Sequence, residues 1–330
     1  MKGMLFKYAF KFVDVLKTNI ILERIDLMNI NYFEHIQAPI LLFFQSIRNP
    51  ILNILFLFFT ISTETPVVVL FTALMYWCID KKIGQRMLYS LTGNIALNGA
   101  IKDFFKVERP IGKFGLESMR VETATGYSFP SGHTQTATTF WTSLAVQLKK
   151  KWVYVLAVIM AVGAGISRLY LVVHWPMDVV VGLILGFLFT LLLIKIMDRS
   201  EKSGKYWEMI LILVPLAIMA FVLKSSDYTK LFALMFGFTV GYILEREYVS
   251  FEVIDRKNMS NGEIIKKNGK RFLIGMLSLG VVYLGLKLVF SLFGATDGSA
   301  LDMVLDFVRY SAVVIQGVAG APYLFKKMGI

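Results

Sequence analysis

Long apolar runs alternate with short charged clusters along the whole chain, which is the pattern of a polytopic membrane protein. The runs predict membrane helices over 37–61, 65–80, 83–107, 133–149, 152–172, 176–197, 207–224, 229–247, 271–293 and 302–325. Arg48-Asn49-Pro50 interrupts the first run, and proline disfavours a continuous helix, so 37–61 reads either as one span or as a surface piece plus a short span. The expected fold is an all-α transmembrane bundle, with a six-helix core followed by about four C-terminal helices. Three segments result: 1–36, 37–197 and 198–330. In the first, Lys7 and Lys11 interleave with Phe6, Tyr8, Phe10 and Phe12, which suits an amphipathic helix lying on a membrane surface. The second is the core and the third a helical extension, joined to the core by the basic connection 198–206.

Composition supports this reading. Of 330 residues, 56% are hydrophobic and 18% charged, against about 45–50% and about 25% in soluble domains. A net charge of +12 would suit a nucleic-acid partner, but the cations sit at the ends of apolar runs rather than on one face, so nucleic acid is excluded. The single cysteine, Cys78, lies within an apolar run; no intramolecular disulfide forms, and it reads as a small buried side chain. The N-terminus shows no short apolar stretch before a small-residue cleavage site, so no cleaved signal peptide is expected.

Loop charge predicts orientation. Lys81, Lys82, Arg86, Lys149 to Lys151, Arg199, Lys202, Lys205, Arg256, Lys257, Lys266, Lys267, Lys270, Arg271, Lys326 and Lys327 fall on one side, which is expected to be cytoplasmic. The connections 106–132 and 168–176 then face outward, and the basic residues at those ends need another explanation.

Three stretches supply it. In the first, Lys102 and Arg109 are seven residues apart, two helical turns, before Pro110 turns the chain out of helix. Two cations at one helix end make a phosphate clamp, although lysines at such ends also snorkel to the interface. Lys106 is read as a snorkelling residue. In the second, Pro130-Ser131-Gly132-His133 opens a helix, leaving free N–H groups and a positive dipole end for an anion. Ser131 adds a hydroxyl, Gly132 permits close backbone approach, and His133 gives or takes a proton. In the third, Ser167-Arg168 precedes His174, with Asp178 four residues further on. Arg168 suits an anion, His174 a nucleophile, and Asp178 can take a hydrogen bond from His174 and set its tautomer. Two of the chain's three histidines fall in this set of eleven residues. His35 lacks a partner at ligand spacing and is expected at the surface.

The pattern Lys-x6-Arg-Pro, Pro-Ser-Gly-His, Ser-Arg-x5-His-x3-Asp resembles the type 2 phosphatidic acid phosphatase (PAP2) superfamily over roughly residues 60–197. Chain length and extra helices are similar to the sphingosine-phosphate phosphatase branch and its bacterial relatives. The C-terminal 130 residues lie outside the motif region. The resemblance implies a membrane lipid phosphate phosphatase acting on a phosphomonoester or diphosphate. His174 would form a phosphohistidine, Asp178 would orient it, and His133 would protonate the leaving alkoxide and then activate water. Lys102, Arg109, Ser131, Gly132 and Arg168 would hold the phosphate, with Ser167, Pro110 and Pro130 in support. With no further cluster of carboxylates or histidines, no metal or other cofactor is expected, vanadate should inhibit, and the loop charges put the site on the extracytoplasmic face of the cell membrane. No oligomeric state is specified.

Lesser candidates carry plainer readings. Asn94 and Asn98 share a helical face with Lys102 and suit interhelical hydrogen bonds better than substrate contact. Tyr127, Phe129 and Trp175 flank the site, where an acyl chain or the membrane interface would meet them. Lys287, Asp302, Asp306 and Arg309 read as a structural ion-pair group rather than a headgroup pocket. The rival functions are a glucose-6-phosphatase-like hydrolase of a soluble phosphate, a lipid phosphotransferase, and a non-catalytic lipid flippase or binding protein. Relative activity on soluble and lipid phosphates separates the first, and tracing of labelled phosphate the second. The third would be favoured by loss of a motif residue, and none is lost.

Overall fold

The computed structural model describes residues 30–254 and 259–330, with side chains from residue 34 onward. The amphipathic segment expected at 1–36 therefore lies largely outside the described residues. Twelve helices run in order among the described residues: α1 Ile30–Ser46, α2 Pro50–Ile61, α3 Thr65–Leu74, α4 Lys81–Phe105, α5 Gly132–Leu148, α6 Lys151–Tyr170, α7 Pro176–Ser203, α8 Trp207–Leu223, α9 Ser226–Leu244, α10 Asn261–Ser291, α11 Ala300–Ile315 and α12 Ala321–Met328. Wide π turns at Met75–Ile79 and Glu245–Val249 extend α3 and α9, and one at Gln316–Gly320 joins α11 to α12.

The run 37–61 is not one straight span. Glu34–Ser46 and Pro50–Ile61 meet at 120°. Pro50 cannot continue α1 through an N–H bond, and the Asn49 side chain caps α2 by accepting from the amides of Ile51 and Leu52 at 3.1 and 3.0 Å. The other nine predicted runs each coincide with a helix or a helix extended by a π turn.

Four of these helices are long and apolar enough to cross a membrane by themselves, and a fifth crossing results if the bent pair counts as one. Thr65–Ile79 and Trp207–Leu223 are apolar but shorter, and other helices carry buried polar residues. In α4, Asn94 and Asn98 are buried; in α5, Thr134, Gln135, Thr138 and Thr139 are. Gln135 Nε2 donates to Asn94 Oδ1 at 3.0 Å, and Asn98 Nδ2 donates to Gln135 Oε1 at 2.8 Å. Asn94 Nδ2 also reaches Thr190 Oγ1 of α7 at 3.2 Å. These interhelical bonds satisfy buried amides where no water reaches. The protein is a multi-pass membrane protein.

Helix α4 stands at the centre, packed against α3, α5, α7, α8 and α9. Its apolar side meets the extension in a cluster that includes Tyr89, Ala96, Met235 and Phe238. At one end of the bundle the predicted basic cluster gathers as ion pairs: Lys81 with Glu245 at 2.7 Å, Lys82 with Glu201 at 2.8 Å, and Arg86 with Asp198 at 2.7 Å. The three motif stretches lie at the opposite end.

Candidate active site

His174 sits in the short connection between α6 and α7, 1% exposed. That connection is held tightly. Val172 has φ +56°, an uncommon conformation for a β-branched residue. Its carbonyl accepts from Ser118 Oγ at 2.6 Å, while the Val173 amide reaches back to Arg168 O at 3.2 Å. The 106–131 connection thus packs down on the histidine loop, and the Met119 amide bonds Leu171 O at 2.9 Å.

Asp178 lies in the first turn of α7 and serves two purposes. Its Oδ2 accepts from the Trp175 amide at 2.8 Å, capping the helix, and stands 3.1 Å from His174 Nδ1. Ser128 Oγ also donates to Oδ2 and is 3.3 Å from Nδ1. The far ring nitrogen, Nε2, accepts from Arg109 Nη1 at 3.0 Å. A guanidinium only donates, so Nε2 carries a lone pair and the proton belongs on Nδ1. Burial, reinforced by the positive charges of Arg109, Lys102 and Arg168, pushes the imidazole well below its ordinary range. His174 is therefore neutral near pH 7, with a free-base nitrogen facing cations.

The cations come from three elements. Lys102, in the last turn of α4, donates from Nζ to Tyr127 O and to Ser128 O, the latter at 3.2 Å. Arg168, near the end of α6, is fully buried; Nη1 donates to Thr60 Oγ1 at 2.6 Å, while Nε and Nη2 have no protein partner. Arg109 spends all its N–H groups. Nε bonds Gly126 O, Nη2 bonds Thr125 O and Tyr127 O, and Nη1 divides between Val173 O and His174 Nε2. The two-oxygen clamp expected of Arg109 is thus not free as it stands; one of its bonds must be exchanged. Burial draws its guanidinium down to about 10, so it stays charged at neutral pH.

The Pro130-Ser131-Gly132-His133 stretch starts α5 beside Lys102. Asn98 Nδ2 holds Pro130 O at 3.3 Å, and the Ser131 amide bonds Asp178 O at 3.0 Å. Gly132 sits beside Asn98 and Lys102, and a Cβ there would make only ordinary contacts with Asn98 Oδ1 and Lys102 Cε, at 3.4 and 4.0 Å. Ser131 Oγ caps α5, accepting from the Thr134 amide at 3.5 Å and also from Thr134 Oγ1 at 2.9 Å. The charges acting most strongly on His133 are Arg168, Arg109 and Lys102, which places it at the same cluster. Ser167 turns away, donating to Ala164 O at 2.7 Å within its own helix. Pro110 and Pro130 are buried turn residues, and Trp175 is anchored by Nε1 on Glu108 O at 3.0 Å.

Sequence reasoning missed three participants. Ser128 lies two residues before the Pro130–His133 stretch, with no chemical feature in the sequence to mark it. Thr60, the Arg168 partner, lies in a separate apolar run with nothing to mark it. Arg120 pairs with Glu64 at 2.9 Å over the same region, and its charge acts on both Arg168 and His133. Among the described residues, no group of three or more His, Cys, Asp or Glu side chains is arranged to hold a metal.

A helical membrane bundle with an oriented histidine beside one buried and two partly buried cations defines a class of anion-binding membrane protein. Residues 84–202 match the PAP2 superfamily model, and residues 229–330 match the transmembrane extension of PAP2 superfamily phosphatases. The undecaprenyl-diphosphatase of Sulfolobus acidocaldarius is 32% identical over 124 residues, 38% of this chain and 58% of that protein. Phosphatidylglycerophosphatase B of Bacillus subtilis is 32% identical over 42% of this chain and 68% of its own length. Human sphingosine-1-phosphate phosphatase 2 is 22% identical over 79% of this chain and 74% of its own. The crystal structure of a transmembrane PAP2-type phosphatidylglycerolphosphate phosphatase from Bacillus subtilis aligns with a TM-score of 0.41 at 25% identity, over 60% of this chain and 96% of that one. The chain belongs to the PAP2 superfamily.

Proposed function

We propose that this protein is a metal-independent lipid phosphate phosphatase that works through a phosphohistidine. The observation carrying the reading is His174, with Nδ1 3.1 Å from Asp178 Oδ2 and Nε2 3.0 Å from Arg109 Nη1, under the positive charges of Lys102 and of Arg168, which has two unpartnered donors. An incoming phosphate takes those Arg168 donors and draws Arg109 Nη1 off Nε2 onto an equatorial oxygen. Nε2 then attacks phosphorus as the P–O bond to the lipid breaks, and His133 gives its proton to the departing alkoxide. Water, deprotonated by His133, splits the P–N bond and regenerates His174. Lys102, Arg168, the Gly132 amide and the Ser131 hydroxyl stabilise the spreading charge. Positive charge here comes from side chains, so no metal is needed. The three relatives are named for lipid phosphates of different backbones, and a lipid phosphate is the substrate class we assign.

The test is phosphate release from a panel of lipid mono- and diphosphates by full-length protein in detergent. His174→Ala should fall to the protein-free background, orthovanadate should inhibit, and EDTA should leave the rate unchanged. Turnover surviving in His174→Ala, or abolished by EDTA, would sink the mechanism.

A further inference from the structure

A second feature on α4 bears on what the lipid end of the substrate meets. A groove of about 380 Å³ lies between α4, α7 and α8, lined by Leu97, Ile101 and Phe105, by Phe189, and by Pro215 and Met219. Every lining residue is apolar. Water in such a space would lack the two to four polar partners it needs, whereas hydrocarbon needs none. Pro215 lies inside α8 and has no N–H to give to the preceding turn, and α8 stands off α4 there rather than closing on it.

The groove lies beside the phosphate end, on the neighbouring face of the same helix. Leu97, Ile101 and Phe105 form one row of α4 at four-residue spacing, while Asn98 and Lys102 form the adjacent row, about 100° round the helix. Lys102 thus faces the phosphate cluster, and the groove begins one row away. At its upper end the Phe105 ring meets the Phe129 ring edge-on, centroids 5.5 Å apart. Phe129 in turn separates Ser128, on Asp178, from the Pro130–Ser131 turn. From Phe105 the groove descends eight residues of α4 to Leu97, about 12 Å. That is under half of the roughly 30 Å hydrocarbon layer. The α8 wall lies between the two stretches that match the family models, 84–202 and 229–330.

We infer that this groove holds the phosphate-proximal part of the substrate's hydrocarbon chain, so that α8, outside the phosphatase core, reads the lipid while α4 links tail to phosphate. The inference rests on the lipid phosphatase reading above. Filling the groove from α8, far from the reacting groups, separates tail binding from chemistry. Met219→Trp and Ile212→Trp should each lower kcat/KM for a long-chain lipid phosphate by about tenfold or more, mainly through KM. Hydrolysis of a short-chain, water-soluble phosphate monoester should be unchanged, which also reports that the variant is folded. Equal losses on both substrates, or none on the long chain, would overturn the assignment.

A measurement on unmodified protein is independent of folding and turnover. A lipid phosphate with a photoactivatable group in its proximal chain should label peptides from 97–105 or 212–219. Excess long-chain lipid phosphate should compete, and excess neutral phospholipid should not. Labelling confined to other helices, or equal competition by neutral phospholipid, would show bulk lipid rather than substrate in the groove. If wild type releases no phosphate from any lipid, the proposed activity fails, while the labelling result still decides the groove.

Discussion

At the residue scale, the chemistry turns on which nitrogen of His174 carries the proton. Asp178 Oδ2 gathers the Trp175 amide, the Ser128 hydroxyl and the imidazole, so helix cap and histidine orienter are one side chain. Asp178→Asn would present an amide N–H to Nδ1 and force the proton to Nε2, removing the attacking lone pair. A loss of roughly 10²- to 10⁴-fold in kcat is expected, by analogy with tautomer-inverting changes in other triads; a loss under threefold would contradict the assignment. The ionisation direction is testable separately. A base whose protonated form is disfavoured by burial and nearby cations stays neutral to lower pH than a free imidazole. Nitrogen-resolved NMR of labelled histidine should show His174 protonated on Nδ1, titrating below the ordinary midpoint near 6.5. A midpoint at or above 7 would contradict the cation cluster's role. The motif residues were legible because their chemistry is confined to a few side-chain types at fixed spacing. Thr60 and Arg120 were not, since a threonine in an apolar run and an arginine in a loop have many ordinary uses. Only tertiary approach gives them a partner.

At the element scale, the site depends on how closely α7 lies against the start of α5. Gly182 and Gly186 are four apart on α7, a small-residue pair of the kind that lets membrane helices meet. A Cβ on Gly182 would stand 2.9 Å from Ser131 O, and one on Gly186 would stand 2.8 Å from Thr138 Cβ. Each alanine substitution should cost about 1–3 kcal/mol through overpacking. Gly182→Ala pushes directly on the turn that carries Gly132 and His133, so it should lose activity by more than its loss of thermal stability accounts for. Gly186→Ala, one turn deeper, should lose stability with smaller effect on turnover. Equal activity losses in the two variants would show that the spacing matters only for folding. Most helix boundaries were readable from the apolar runs to within a few residues, but Asn261–Ser291 starts ten residues before its apolar run and Pro176–Ser203 ends six residues after its own. The 120° break was signalled by Arg48-Asn49-Pro50, but its size depends on the Asn49 cap and on tertiary ties such as Tyr170 Oη to Asn53 Oδ1 at 2.5 Å. The π turns left no pattern in the sequence, because a five-residue widening leaves the apolar periodicity almost unchanged.

At the scale of the whole molecule, charge and chemistry are segregated to opposite ends. The basic end locks core to extension: Lys81 of α4 joins Glu245 after α9 and donates to Phe251 O, while Arg246 donates to Glu201 O on α7. The other end carries the phosphate site under the 106–131 connection, itself tied by Lys113 to Glu34 at 2.8 Å. Basic ends of membrane helices tend to stay in the cytoplasm, and on that ground we propose that the site lies on the extracytoplasmic face. The buried Cys78 allows a clean test in a Cys78→Ser background. Glu117 on the site connection and Lys202 in the last turn of α7 are both exposed and lie at opposite ends. In intact cells a membrane-impermeant maleimide should label Glu117→Cys, whereas Lys202→Cys should react only after permeabilisation. The reverse pattern would invert the topology, and the pocket's substrate would then have to approach from the inner leaflet.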